Sequence, residues 1–152
     1  MDTALLSFLQ EQRLLTLATV STDGFPWVSN VYYSITDKGE IFYISPTTTN
    51  HSKHVVANKE VAFSVAWYEK DNMENRKSVQ GRGICSQVTN FAKISRLISN
   101  HLSFYPDWKD FLTTDAILRH LIESRPYMIK PTYMKFFNDE LFGEEGTREF
   151  KF

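Results

Sequence analysis

Three β-patterned runs lie between Leu14 and Ser45, separated by two tight turns. Leu14–Ser21 is rich in β-forming residues and is followed by Asp23-Gly24, a strong short-range hairpin signal. Residues 25–35 then alternate. Phe25, Trp27, Ser29, Val31, Tyr33 and Ile35 fall on one face; Pro26, Val28, Asn30, Tyr32 and Ser34 fall on the other. Asp37-Lys38-Gly39 supplies the second turn, leading into Ile41–Ser45. Runs joined this closely predict an antiparallel meander.

Further along, Val61-Ala-Phe-Ser-Val-Ala-Trp67 alternates large with small residues. A face of only Ala62, Ser64 and Ala66 lets a helix, a second subunit or a flat ligand approach closely. Ser78–Val88 is another β run in which Gly81, Gly83 and Cys85 share a face. Two glycines there predict a bend, a bulge or close backbone approach, as at the corner of a small barrel. Tyr127–Phe137 is the last run, and Pro131 marks an edge or an irregularity within it. Helices are expected at about 2–12, capped by Asp2 or Thr3, at 50–57 with Asn50 as cap, at 91–105 behind Asn90, and at 108–124, ended by Pro126. Ile94, Leu97, Ile98 and His101 form the apolar stripe of the third. The tail from Asn138 is acidic but keeps Phe142, Phe150 and Phe152, which predicts docking on a core or a partner chain. About six strands with flanking helices make one mainly β domain over residues 1–152, a small barrel with α decoration.

Composition narrows the function classes. A net charge of −1 gives no global attraction to nucleic acid or to an acidic membrane surface. The single cysteine, Cys85, excludes an internal disulfide and a cysteine-cluster zinc site. The first residues lack a basic n-region and a cleavage site, so a cytoplasmic protein is the expectation.

The chemistry concentrates in Tyr43-Ile-Ser-Pro-Thr-Thr-Thr-Asn-His-Ser-Lys-His54. A strand stops at Pro46, passes through three threonines and enters a short helix, whose start offers free N–H groups and positive dipole to an anion. Thr47, Thr48, Thr49 and Ser52 add hydroxyls, and Lys53 and His54 add bases. That is a phosphate cradle without glycine, although an ordinary capped helix uses the same residue types. His51 and His54 stand three apart with no third ligand nearby in sequence, which argues against a metal. His101 reads as a packing residue, and Cys85 as buried rather than nucleophilic. No complete catalytic set is present, so any redox or transfer chemistry would belong to a cofactor.

Leu17–Tyr33 resembles the opening hairpin of the pyridoxamine-phosphate-oxidase-like FMN-binding split barrels. Ile41–Ser45 is similar to their third strand, Ser52-Lys53-His54 to the element that grips the FMN phosphate, and Val79-Gln-Gly-Arg-Gly83 to a Val-x-Gly strand. The stretch from Ile129 to Gly143 resembles the small YhbP-like branch. The resemblance implies a six-stranded antiparallel split β-barrel, a two-fold homodimer with the site at the interface, and a flavoprotein taking a small-molecule substrate. It implies flavin contacts from Trp27, Ser29, Asn30 and Val31, and a ribityl and phosphate set of Ser45, Thr48, Ser52, Lys53 and His54. Trp67 or Gln80 would reach the flavin of the other subunit. Haem and deazaflavin are the alternative ligands, with His51 or His54 as axial candidates for haem. Lys53 and His54 stand where the well-studied flavoenzymes carry Arg and Lys, so a point charge replaces a bidentate fork. The oxidase's arginine and histidine set for its pyridoxal substrate has no clear match, which argues against pyridoxamine phosphate as substrate.

Overall fold

A computed structural model describes residues 1–71, 76–108 and 123–152. The expected meander is present as β1 (Leu14–Val20), β2 (Pro26–Ile35) and β3 (Ile41–Pro46). Both expected turns carry glycine at positive φ, Gly24 at 84° and Gly39 at 83°, where a side chain would be strained. β4 (Glu60–Trp67), β5 (Lys77–Gln87), β6 (Ser124–Asn138) and β7 (Thr147–Lys151) complete the sheet. Its order is β3-β2-β1-β4-β5-β6-β7, all antiparallel where paired, and β6 returns to pair with β3. Six strands therefore close into a barrel. β7 lies outside that circuit, on the half of β6 that β3 does not use.

Two glycines let the barrel close. Between Arg82 and Gly83 the β5–β6 register slips, Arg82 facing Tyr133 and Gly83 facing Pro131, so Thr132 is the extra residue of a bulge. A Cβ at Gly83 would collide with the carbonyl of Lys130, and one at Gly81 with the ring of Phe63. Close approach and irregularity thus fall where the sequence signalled them, at Gly81, Gly83 and Pro131.

Leu15 and Leu17 of β1, Tyr33 of β2, Tyr43 of β3 and Val65 of β4 fill the barrel. The helix α1 (Thr3–Glu11), capped by Asp2 on the Leu5 amide at 3.1 Å, buries Leu5, Phe8 and Leu9 against this core. The Tyr33 hydroxyl donates to the Leu9 carbonyl at 2.6 Å. Helix α2 (Asn50–Ala57) follows β3 at the opposite end and buries His51, Ser52 and Val55. Helix α3 (Phe91–Phe104) lays Leu97 and Ile98 on Phe42, Val88 and Met128, a second core outside the barrel. The short α4 (Asp139–Phe142), capped by Asn138, connects β6 to β7.

Two expectations are corrected, and a third lies almost wholly outside the described residues. Thr49, not Asn50, precedes the first helical residue of α2. Phe142 and Phe150 do dock on the core while Phe152 stays exposed, and the docking tail includes an unexpected strand: β7 is charged at Arg148, Glu149 and Lys151, as suits a sheet edge, and its sequence carries little hydrophobic alternation. The helix expected at 108–124 falls almost wholly outside the described residues; Trp108 ends a 3-10 turn, and Ser124 already belongs to β6, whose ladder runs through Pro126. Among the described residues no helix is long and apolar enough to cross a membrane.

His101 fastens α3 to the barrel. Its Nδ1 lies 3.0 Å from the Ser34 hydroxyl, and its ring meets Phe42 and Tyr105 at centroid distances of 5.5 and 4.7 Å. Burial lowers its pKa from 6.5 to about 4. A folded state that resists protonation is stabilised above the unfolded pKa and loses that stability as pH falls toward the folded one. Urea unfolding of the wild type should therefore show stability declining between about pH 6.5 and pH 4, with on the order of 3 kcal/mol from this group. His101→Gln should flatten the decline; an unchanged slope would remove His101 as its source.

Candidate functional site

The mouth of the barrel under α2 holds a continuous polar cluster. The register of β1 and β2 brings Thr19 opposite Trp27 and Leu17 opposite Ser29, so the Thr19, Trp27 and Ser29 side chains point toward the same end. β3 delivers Ser45 there just before Pro46 breaks the strand and the chain turns into α2. The helical periodicity then turns His51, Ser52 and Val55 inward and leaves Lys53 and Val56 outside.

His51 is the hub. Its Nδ1 lies 3.0 Å from Ser29 Oγ, and its Nε2 lies 2.6 Å from Ser45 Oγ and 3.2 Å from Thr49 Oγ1. Trp27 Nε1 donates to Ser29 Oγ at 3.0 Å. Thr49 Oγ1 lies 2.9 Å from both Ser52 Oγ and the Pro46 carbonyl. His54 takes a different partner, with Nδ1 3.0 Å from the Thr19 hydroxyl. Behind the hub, Tyr43 stacks on Tyr127 at 5.2 Å, and its hydroxyl lies 3.4 Å from Cys85 Sγ. Burial pushes the Cys85 thiol up to about 11, an inert value for a cysteine. Burial, with the neighbouring His54 second, holds His51 below the usual imidazole range.

The start of α2 is open chemically. Helices α1, α3 and α4 each have a side-chain cap, from Asp2, Asn90 and Asn138. α2 has none, because the Thr49 hydroxyl is committed to Pro46, Ser52 and His51. Its first-turn N–H groups retain their positive dipole beside Lys53 and Thr48, both exposed.

The residues singled out in the sequence therefore divide. Trp27, Ser29, Ser45 and Ser52 join one cluster through His51 and Thr49, while Thr48, Lys53 and His54 surround it. Ser52 is buried and turned toward Thr49, so it supports the entrance from behind. Val31 points into the barrel core, and Asn30 lies on the outer face, accepting from Thr16 at 3.0 Å. Gln80 and Trp67 are elsewhere. A row of paired residues, Asn30, Thr16, Ser64 and Gln80, crosses three strand spacings, placing Gln80 about 14 Å from Asn30 as measured along the curved sheet. Trp67 is half-buried at the end of β4 beneath the Lys77 ammonium, 5.7 Å from its ring. The sequence marks His51 and Thr49 only as a haem or metal candidate and a loop hydroxyl. The sign of their linking role, a first-turn histidine six residues after a strand serine, becomes specific only once β2 lies alongside. Among the described residues no three His, Cys, Asp or Glu side chains gather as a metal site.

Residues 1–131 match the pyridoxamine 5'-phosphate oxidase family. The chain belongs to that family. No curated protein matches it in sequence. Among solved structures it is similar to a heme binding protein from Mycobacterium smegmatis, with TM-score 0.75 and 13% identity over 99% of this chain and 58% of that one. It is similar to ChuZ from Campylobacter jejuni, with TM-score 0.76 and 12% identity over 97% and 58%. It also resembles HutZ, the heme storage protein from Vibrio cholerae, with TM-score 0.69 and 20% identity over 86% and 89%. The chain thus spans 58% of the length of the first two. At these identities the likeness is one of fold.

Replacing the hub tests the cluster as a structural unit. His51→Ala leaves Ser45, only 4% exposed, without its short hydrogen bond and opens a void, and should cost about 2–4 kcal/mol in urea unfolding. Ser45→Ala leaves His51 Nε2 the Thr49 acceptor and should cost less than about 1.5 kcal/mol. Equal costs would contradict the hub assignment.

Proposed function

We propose that the chain is an FMN-binding flavoprotein, acting as a homodimer, that passes hydride or electrons from a reduced nicotinamide to a small acceptor. The observation that carries this reading is the uncapped start of α2, set among Thr48, Lys53 and His54 and backed by the Ser29–His51–Ser45–Thr49 cluster. The residues present fit a phosphorylated ring compound. First-turn amides of α2 and the Lys53 ammonium suit a phosphate, and the Trp27–Val31 strand with the Ser29 hydroxyl suits the edge of a flat ring. Bound flavin would supply the redox chemistry at its N5 position. The chain's own side chains bind and orient; Ser45, Thr49 and Ser52 hold the entrance in shape, and α2 excludes water from the barrel end.

A bare sheet face supports the dimer reading. α3 covers the outside of the barrel at Phe42 and Met128, whereas on β1, β2 and β4 the outward residues are Thr16, Ala18, Val28, Ala62, Ser64 and Ala66. Val28 is 62% exposed there. Small residues flanked by exposed apolar ones suit a second copy, and the separation of Gln80 from Asn30 by three strand spacings supports a contact from another subunit's Gln80 or Trp67 with a flavin on β2.

A second reading, a haem-binding or storage module without turnover, is supported by the fold shared with a heme binding protein and a heme storage protein. In this chain His54 is the better axial candidate. Both His51 nitrogens are engaged, while only Nδ1 of His54 has a described partner. A Soret band abolished by His54→Ala would favour haem.

Titration with FMN by flavin fluorescence should give saturable binding, weakened about ten- to a hundredfold in Lys53→Ala, the loss of one charge-assisted contact. Wild-type protein that leaves flavin fluorescence and thermal stability unchanged would overturn the flavin reading. A deazaflavin binding in preference to FMN would keep the phosphate cradle and change the ring. For the dimer, Ala62→Arg should raise the dimer dissociation constant at least about tenfold by light scattering. A dimer indifferent to Ala62→Arg would have to use another face.

A further inference from the structure

The cluster around His51 has a direction, fixed by which atoms carry protons. The Thr49 hydroxyl is placed to donate to the Pro46 carbonyl or to Ser52, so toward His51 it acts as an acceptor. His51 Nε2 therefore carries the hydrogen, shared between Ser45 Oγ at 2.6 Å and Thr49 Oγ1 at 3.2 Å. In the neutral ring Nδ1 is then bare and takes its hydrogen from Ser29, which itself accepts from the Trp27 indole. The chain of donors runs Trp27 to Ser29 to His51 to Ser45 and Thr49. The Ser29 proton is consumed by the imidazole.

Protonating His51 reverses one link. Nδ1–H then donates to Ser29 Oγ, which already accepts from Trp27 Nε1, and the Ser29 O–H is released to donate elsewhere. Ser29 is only half-buried and lies on the strand beside exposed Trp27, so the freed donor faces the mouth. His51 sits in the first turn of α2, the turn whose amides lack a side-chain cap. The titratable or charged groups about it are Tyr43 from β3, Lys53 and His54 from its own helix, Arg125 of β6, paired with Ser45, Asp23 of the β1–β2 turn, which feels the charge of His54, and Glu123, whose carbonyl accepts from the Thr47 amide at 3.2 Å. Among the described residues no carboxylate hydrogen-bonds His51. An anion arriving at the start of α2 would introduce negative charge that favours the imidazolium.

We propose that His51 is a proton-linked positioning residue: an anionic ligand at the start of α2 draws a solvent proton onto His51, and this turns the Ser29 hydroxyl into a donor toward the ligand's ring. The proposal rests on the phosphorylated-ring reading of the site and adds its regulation: phosphate at one end orients the hydrogen bond made at the other. Linkage makes the effect reciprocal, so affinity for the anion rises as pH falls.

The test is a long-range proton–nitrogen spectrum of the histidine rings in full-length wild-type protein at about pH 7.5, free and then with inorganic phosphate, riboflavin or FMN. The free protein should show His51 as the neutral Nε2–H form, and phosphate or FMN should protonate both ring nitrogens, whereas riboflavin, lacking the anion, should not. FMN affinity should increase by up to about tenfold per pH unit lowered between about pH 8.5 and 6.5. The ligand's own second ionisation, near pH 6, acts in the opposite sense. His51→Gln should flatten that slope, His54→Gln should retain it, and Ser29→Ala should weaken FMN while leaving the His51 protonation intact. An Nδ1–H tautomer in the free protein overturns the proposal, as does a neutral His51 in the phosphate-saturated protein, or a His51→Gln slope equal to wild type. Protonation by phosphate without any binding of FMN would uphold the relay and defeat the flavin reading, which keeps the two failures distinct.

Discussion

Everything at the barrel mouth depends on the ladder between β3 and β6. Without it the sheet is an open meander; with it Ser45 pairs with Arg125, and the end of β3 is held beside the ends of β1 and β2. β6 can serve β3 on its first half and β7 on its second because it is 15 residues long and bulges at Thr132. The bulge in turn requires Gly83, where the Lys130 backbone occupies the space of a side chain. Closure therefore rests on one missing methyl group and one extra residue, and the α2 site inherits its geometry from both.

At that mouth, two uses of the same hydroxyls compete. Capping α2 with Thr49 would satisfy a backbone amide and typically stabilise a helix by about 1 kcal/mol. Thr49 instead serves His51 and the Pro46 carbonyl, leaving the amides unpaired at a solvent-accessible edge. Buried polar groups are satisfied first, since an unpaired one costs more than a solvated helix end. The chemical openness of the α2 start is thus a consequence of satisfying His51 inside the barrel.

Six of the strands and three of the helices were legible because their signals are local. Asp23-Gly24 and Asp37-Lys-Gly39 name their turns, Val61–Trp67 names its faces, and the Ile94–His101 stripe names the side of α3 that docks. What escaped depends on neighbours remote in sequence. β7 has a charged, weakly patterned sequence and forms on an edge supplied by β6. His51 looks like any first-turn histidine until Ser29, 22 residues earlier, lies 3.0 Å away. The serines at 29, 45 and 52 could be named through family resemblance, but the residue joining them could not, because that resemblance marks contacts to a ligand and not the support behind them.

The distribution of cover over the barrel ties fold to function. α1 and α2 close its ends and α3 shields the β3–β6 side, so among the described residues the side bearing Ala18, Ala62 and Ser64 lacks a covering helix, as does the outer face of β5 beside it. A ligand lying along β2 would have the α2 entrance at one end and this bare face alongside. On the flavin proposal, one chain would supply the anion grip and one edge of a ring pocket, and the far wall would come from the ligand's own solvent shell or from a second copy. A flat, charged molecule would tolerate such a half-pocket better than a compact apolar one, because directed amides and a lysine would hold its anion while its ring needs only a face to lie on. A shared barrel does not by itself choose a ligand, because the chemistry belongs to the side chains placed on the fold and not to the fold.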